Sequence, residues 1–395
     1  MINIINDKIP FRSNSDCPCC FKKATQIIDL PKYPITEFFT NDIQKKKVWG
    51  FYDQKILFCQ SCQHLFLNNI LDPKYIYNNY LTSSSASQGA VNCLLNFKNF
   101  IDKNINYKEK THRTIIDIGG NDSTFLEFFI NKFDNLYNID INASSKNNKI
   151  KSVVSDWKDI DFSNFDINKP IIYCSSHTIE HLEHPEDFIE KISISMNSDD
   201  LFFLQFPSLE LLVNDSRFDQ ICHQHLNLFS LKSIQILLNK HSLFIYSFNF
   251  DPSHFGTLRL ALKKNKTRNK KEILDININL IKSSYDFFNS FYKIMNDQYA
   301  SLLYRGQGFG AGLMVPTLSY SLPLINNLNI ICDHNESKYN SRYINLLPVI
   351  RPDNYLNKDK PVIITAISSK FAARSIFNFL SNKGIQDIII PLPKL

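Results

Sequence analysis

Two cysteine pairs, Cys17 with Cys20 and Cys59 with Cys62, constrain this chain more than any other feature. Each pair has the x₂ spacing at which two thiolates turn back onto one tetrahedral metal ion, and soft sulfur ligands favour Zn²⁺. The stretch between the pairs is longer than in a compact finger, so a small domain built around the metal is expected. Four protein ligands would close the coordination sphere, which makes the expected zinc structural and leaves it no open position for chemistry. Cys19 is the spare thiol of its cluster.

The 395 residues suffice for two or three domains with their own cores, and 44% hydrophobic with 21% charged residues is a globular composition. A net charge of +6 is modest for this length. It suits a small anionic substrate, but there is no clustered Arg/Lys stripe of the kind duplex binding needs, so no nucleic-acid partner is expected. Cys93, Cys174, Cys222 and Cys332 stand alone, Met1–Pro10 lacks a signal-peptide pattern, and no apolar run approaches the roughly 18 residues of a membrane span. A cytoplasmic protein off the membrane is predicted, where free thiols and a zinc thiolate site both persist. No internal repeat and no protein partner is evident.

Residues 1–73 hold the metal ligands and short apolar pieces such as Lys55–Phe58. A Ser-rich stretch, Thr82–Ser87, follows the aromatic Tyr75–Tyr80. Strands are then predicted over Thr114–Ile118, Leu136–Ile141, Ile171–Cys174, Leu201–Phe206, Leu243–Phe248 and Leu258–Leu262, with a helix over Phe125–Phe133. This alternation predicts an α/β unit over residues 74–270 with a parallel, doubly wound sheet. After the charged break Lys263–Lys271 comes a long helical segment, Ile273–Leu303. Tyr304–Gly312 follows, holding four of the ten glycines within seven residues. Strands at Asn329–Cys332, Pro361–Ala366 and Ile388–Ile390 make residues 271–395 a second, smaller α/β unit.

Gly119-Gly120-Asn121-Asp122 ends a strand and opens a helix. Glycine lets backbone approach a ligand, and a helix start offers unpaired N–H donors. Asp117, Gly119 and Asn121 are therefore candidate cofactor contacts. About twenty residues on, Asp140 ends the next strand, where a carboxylate can accept both hydroxyls of a ribose. Asp156-Trp157 suits an adenine edge and face. The GxGxxG of nicotinamide proteins is absent, and this order fits the variant of the fold that binds S-adenosylmethionine. Ser176–Pro185, just after the fourth strand, is expected to line the cleft beside the sulfonium.

Together these pieces resemble the sugar C-methyltransferases that act on nucleotide-linked 4-keto sugars in deoxysugar biosynthesis. The resemblance covers nearly the whole length: the paired CxxC module, Tyr80–Ser87, Ile118–Asp122, Phe218–His225, His254–Arg259 and the Gly-rich unit ending at Pro391-Leu392-Pro393. It implies a zinc module, a class I (Rossmann-like) methyltransferase domain and a C-terminal Rossmann-like domain. The implied reaction is carbon methylation beside a ketone, in which a base removes the alpha proton and the enolate attacks the methyl of S-adenosylmethionine. Histidine suits the base role because its pKa lies near neutrality. The resemblance implies His225 as that base, with His181 orienting or stabilising the substrate oxygen. It implies Tyr80, Ser84, Ser85, His223 and Gln224 as substrate contacts, and Arg259 as a bidentate partner of the diphosphate. The Gly308–Gly312 turn with Asp333 would face the nucleotide, or simply pack helix on strand.

The chain departs from the family pattern at one cleft. It has Cys222-His223-Gln224-His225 where the family has Tyr-His-Glu-His, and Leu228 at a usual tyrosine. Gln205 stands where an acid is common, Thr82 at a second tyrosine position, and Ser123 at a glycine. A carbonyl-alpha proton is hard to remove without a supported base, whereas an oxygen or nitrogen acceptor already has a lone pair. The departures therefore keep two alternatives open: O- or N-methylation of a related small molecule, or a binding protein that retains the fold without turnover.

Overall fold

The computed structural model describes residues 8–36, 50–77, 83–105, 113–165, 170–264, 276–343, 348–351 and 356–394; Tyr80 and Thr82 lie outside them. In the N-terminal part, β2 (Thr25–Pro34), β3 (Phe51–Cys59) and β4 (His64–Leu67) form an antiparallel meander, and β1 (Phe11–Ser13) pairs with β5 (Asn69–Leu71). Along β3, Tyr52 and Gln54 face inward while Phe51 and Asp53 face out, and burial becomes continuous from Ile56 to Cys59. The period of two gives way where the cysteine turns cover the strand's second face.

The central sheet contains β6 (Thr114–Ile118), β7 (Asn135–Asp140), β8 (Ile150–Val154), β9 (Ile171–Ser176), β10 (Leu201–Pro207), β12 (Leu243–Asp251) and β13 (Thr257–Lys264), in the order β12-β13-β10-β9-β6-β7-β8. It is not wholly parallel, because β13 runs against both β10 and β12. The reason is connection length: the few residues between β12 and β13 suffice for a hairpin, whereas a parallel crossover needs a dozen or more. Every residue of β6 is buried. Ile115 joins Phe97, Phe125 and Phe203 on one face of the sheet, and Ile116 joins Tyr173, Phe188 and Phe202 on the other. Helices cover both faces, so the strand reads as an unbroken apolar run. The predicted helix Phe125–Phe133 shrinks to Thr124–Glu127, after which hydrogen bonds such as Phe129 N to Leu126 O continue as turns.

A short strand, β11 (Asn227–Leu228), leaves the central unit and pairs with β4, giving the N-terminal sheet the order β11-β4-β3-β2. The C-terminal sheet is all parallel, with β14 (Gln307–Phe309) at its centre, flanked by β15 (Ile330–Cys332) and β16 (Val349–Ile350) on one side and β17 (Val362–Ile364) and β18 (Ile388–Ile389) on the other. The long helix runs Ile278–Tyr299, and its Asn277 cap accepts from Leu280 N at 2.9 Å. One apolar cluster passes from Ile28, Ile56 and Leu65 of the N-terminal sheet through Leu212 and Phe218, on the helix and turn after β10, to Phe288, Val315 and Ile363, so the N- and C-terminal sheets share a core across that helix. No helix among the described residues is long and apolar enough to cross a membrane.

At that junction Arg217 and Asp219, 5% and 1% exposed, form a bidentate pair with both contacts at 2.8 Å, and Arg217 Nη2 also donates to Ile367 O at 2.5 Å. Removing only the acid would strand a buried guanidinium. Asp219→Ala is expected to cost about 3–5 kcal/mol, read as a lower urea midpoint; an unchanged midpoint would show the pair to be solvated.

Candidate active site

Ligand crevices in open α/β sheets form beyond the strands' C-terminal ends, where neighbouring connections diverge. Here β6 and β9 lie side by side at such a point, followed by Gly119 and His177 respectively. Gly119 has φ +82°, and a Cβ there would sit 2.0 Å from Thr178 Oγ1. At Gly120 a Cβ would sit 2.3 Å from Asn138 Oδ1 and 2.5 Å from Asp117 Oδ2. Only glycine fits either position, because a side chain there would run into Thr178, or into Asn138 and Asp117. Asp117, 1% exposed, has an Oδ1 without a hydrogen-bond partner. Burial, then the charge of Asp140, pushes its carboxyl up to about 8. An unpaired buried acid is costly unless a cationic or donor group meets it.

The crevice opens into a cavity of about 910 Å³, lined at one end by Asp117, Gly119 and Asn121, in the middle by His177, Glu180, His181, His225 and His254, and at the other end by Ala311, Gly312, Asp333 and Lys338. That far end is the second switch point, between β14 and β17. Asp333 Oδ2 accepts from Ala311 N at 2.5 Å, and Lys338 Nζ donates to Ala311 O at 2.7 Å.

In the middle, His177 sits in the left-handed region at φ 53°, a backbone strain of the kind that collects at functional sites. Its Nδ1 donates to Glu180 Oε1 at 3.1 Å, and its Nε2 lies 3.7 Å from Cys93 Sγ. Burial pushes His177 down, but Cys93 and Glu180 outweigh it and lift the imidazole to about 10. Burial pushes Glu180 and Cys93 up, and in both His177 reverses the sign. The arrangement is a fixed imidazolium between a carboxylate and a thiol. The His181 and His225 rings meet edge to face at 4.9 Å. Burial, then His181, pushes His225 down to about 3. Such an imidazole is neutral near pH 7, with a lone pair available but a lowered affinity for the proton.

The structure therefore brings Asp117, Gly119, Asn121, Ser84, His181 and His225 onto one cavity. Asp140, expected to accept the ribose hydroxyls, does not line the cavity; it stands behind the glycine turn, accepting from Asn121 N at 3.2 Å and from Asn142 N at 2.7 Å. Asp156 caps its own turn through Lys158 N at 3.0 Å, and Trp157 packs edge-on against Phe188 at 5.2 Å; neither lines the cavity. Ser85 donates its backbone N–H to Asp122 Oδ2 at 2.9 Å and is exposed. Three implied substrate contacts are corrected. Arg259 is 3% exposed, paired with Asp251 and donating to Gln205 Oε1 at 3.1 Å, because its hairpin partner strand supplies the acid. His223 is held between Gln54 at 3.1 Å and Tyr33 O at 3.1 Å. Gln224 is tied to both Thr36 Oγ1 and Thr36 O, at 2.9 Å and 3.1 Å. These two side chains anchor the 221–228 segment to the N-terminal sheet and do not line the cavity.

His177 lay within the Ser176–Pro185 segment but without an assigned partner, and Cys93 gave no signal as an isolated thiol. The four sulfurs of Cys17, Cys20, Cys59 and Cys62 lie within 4.8 Å of one another, with Cys17–Cys62 and Cys20–Cys59 at 3.4 Å and no disulfide between them. Such a set fits one tetrahedral ion.

Residues 96–244 match the family model described as a methyltransferase domain. With the order of the seven strands, this gives the chain a class I, Rossmann-like methyltransferase fold. A segment of 78 residues is 30% identical to the C-methyltransferase NovU of Streptomyces niveus, covering 20% of this chain and 19% of that protein. The chain thus matches about a fifth of that curated relative's length. Among solved structures, a protein from Pyrococcus horikoshii aligns at 12% identity and TM-score 0.37, covering 49% of this chain and all of the other. A Burkholderia thailandensis 1,6-didemethyltoxoflavin-N1-methyltransferase aligns at 11% and 0.35, covering 54% of this chain and 96% of its own.

Proposed function

We propose that this protein transfers a methyl group from S-adenosylmethionine to a nucleotide-linked keto-deoxysugar, at the carbon alpha to the ketone. The observation that carries this reading is the single cavity joining the Gly119 turn, the histidine cluster and the Gly312 turn. The donor supplies a methyl carbon on a sulfonium, ready for displacement by a nucleophile. Asp117, with its unpaired oxygen, would meet the donor's positive charge, the Gly119 and Gly120 backbone that lines the cavity would admit it closely, and Asp140 would fix the turn through Asn121 N. His181 and His225 are placed to manage the acceptor's oxygen, while the Ala311–Gly312 turn and Lys338 would hold the diphosphate. The NovU similarity favours carbon over a heteroatom.

O- or N-methylation is the second reading, favoured by the low proton affinity of His225 and the lack of a carboxylate at residue 224. We also assign zinc to the four-cysteine cluster, and the cytoplasm as the compartment that keeps those thiols reduced. Calorimetry with S-adenosylmethionine on the metal-loaded protein should show one binding event. With S-adenosylhomocysteine bound, a keto-sugar nucleotide in D₂O should gain deuterium at its alpha carbon by mass spectrometry. No binding heat would overturn the methyltransferase reading; binding with methylation but no exchange would move the acceptor to a heteroatom.

A further inference from the structure

We infer that Glu180, His181 and His225 form a second metal site, taking one divalent first-row transition cation whose open positions face the cavity. The three residues come from two segments, the turn Ile179–His181 after β9 and the loop before β11, yet their ligand atoms lie within 4.8 Å of one another. His181 Nδ1 lies 3.0 Å from Gln224 O. A carbonyl only accepts, so Nδ1 carries the proton and Nε2, 4.0 Å from Glu180 Oε1, is the nitrogen with the lone pair. An imidazole whose far nitrogen is fixed by a carbonyl is the usual support of a metal-ligating histidine. Glu180 is likewise anchored through Oε1 by His177. Its second oxygen, Oε2, is buried with no hydrogen-bond partner, on a residue 1% exposed. Glu180 thus keeps one buried oxygen unpaired on a carboxylate that stands within 4.8 Å of ligand atoms of His181 and His225, and a buried unpaired acid points to a cation.

Two imidazoles and one carboxylate suit Mn²⁺, Fe²⁺, Co²⁺ or Zn²⁺, whereas Mg²⁺ and Ca²⁺ prefer all-oxygen shells. Metal bonds of about 2.0–2.2 Å require all three ligands to close on the ion from their present spacing. Three protein ligands leave positions for water and for an oxygen of the acceptor. That last role rests on the proposed methyl transfer to a carbonyl compound; the binding of the cation does not. On this assignment His225 holds the ion and is not the proton acceptor.

The test uses the full chain with its cysteine cluster loaded with zinc, and Mn²⁺ alone as the probe, because Mn²⁺ competes poorly for thiolates. Depletion of the free Mn²⁺ resonance signal should report one bound equivalent. Glu180→Gln and His225→Ala should each weaken it at least tenfold, with zinc content and circular dichroism unchanged. His254→Ala, in the same cavity, should leave it unchanged. Absence of Mn²⁺ binding by the folded protein up to millimolar concentrations, or equal binding by all variants, would overturn the site. S-adenosylmethionine calorimetry on the same samples separates the two claims: Mn²⁺ bound without donor binding keeps this site and removes the proposed function, and the converse removes this site alone.

Discussion

Withholding the zinc we assign to the four-cysteine cluster, or replacing Cys59 with serine, is expected to unfold the N-terminal sheet and to release His225 with it. Cys59 ends β3, and Cys62 precedes β4 by a single residue beyond the turn. β4 pairs on its free side with β11, which begins two residues after His225. Leu67 N donates to Leu226 O at 2.9 Å, His64 bonds Asn227 Oδ1 at 3.0 Å, and Tyr33 Oη donates to Ile221 O at 2.6 Å. The loop that presents His225 thus has most of its framework in the cysteine module. Metal binding contributes about 10–16 kcal/mol in small metal-folded modules, against about 5–15 kcal/mol for the whole stability of a typical domain. Chelation should therefore lose the native signal by circular dichroism and open residues 221–228 to hydrogen exchange. Loss of activity would then reflect the fold and say nothing about metal chemistry. A Cys59→Ser protein with an unchanged melting temperature and full zinc content would refute the argument.

How much of this was readable beforehand follows from the range of the forces involved. β6 was legible because burial on both faces demands an apolar run, and the Gly119 turn because its geometry excludes every side chain. The cysteine cluster was legible because its four sulfurs sit in two short turns. β11 was not: two residues carry no periodicity, and its partner β4 lies far back in the chain. His223, Gln224 and Arg259 were placed on the substrate because a motif gives residue identity but not direction. Their directions are set by Gln54, Thr36 and Asp251, and nothing local announces those partners. Cys93 reached His177 only through the packing of the helix Gln88–Asn104 on the sheet. Neither residue is informative alone.

The affinity for S-adenosylmethionine is expected to rise with pH up to about 8 and then level off, and Asp117→Asn should abolish that dependence. Burial, with Asp140 adding to it, holds the Asp117 carboxyl at about 8, so the ligand-free protein is mostly protonated there at pH 7. A cationic donor prefers the carboxylate, so binding below that pH must expel a proton, at a cost approaching about tenfold in affinity per unit. Calorimetry in buffers of different ionisation enthalpy should show the proton leaving at pH 7 and not at pH 9. Losing a charged hydrogen-bonding partner should weaken donor binding at pH 9 by about 1.5–3 kcal/mol. The effect on stability has the opposite sign. A carboxyl whose folded pKa is raised contributes stability fully below its unfolded value near 4, and loses it as pH climbs through about 8. Ligand-free Asp117→Asn should therefore melt higher than the parent at pH 9 and differ little at pH 4. A variant that binds the donor as tightly as the parent, with the same pH profile, would remove Asp117 from the donor site.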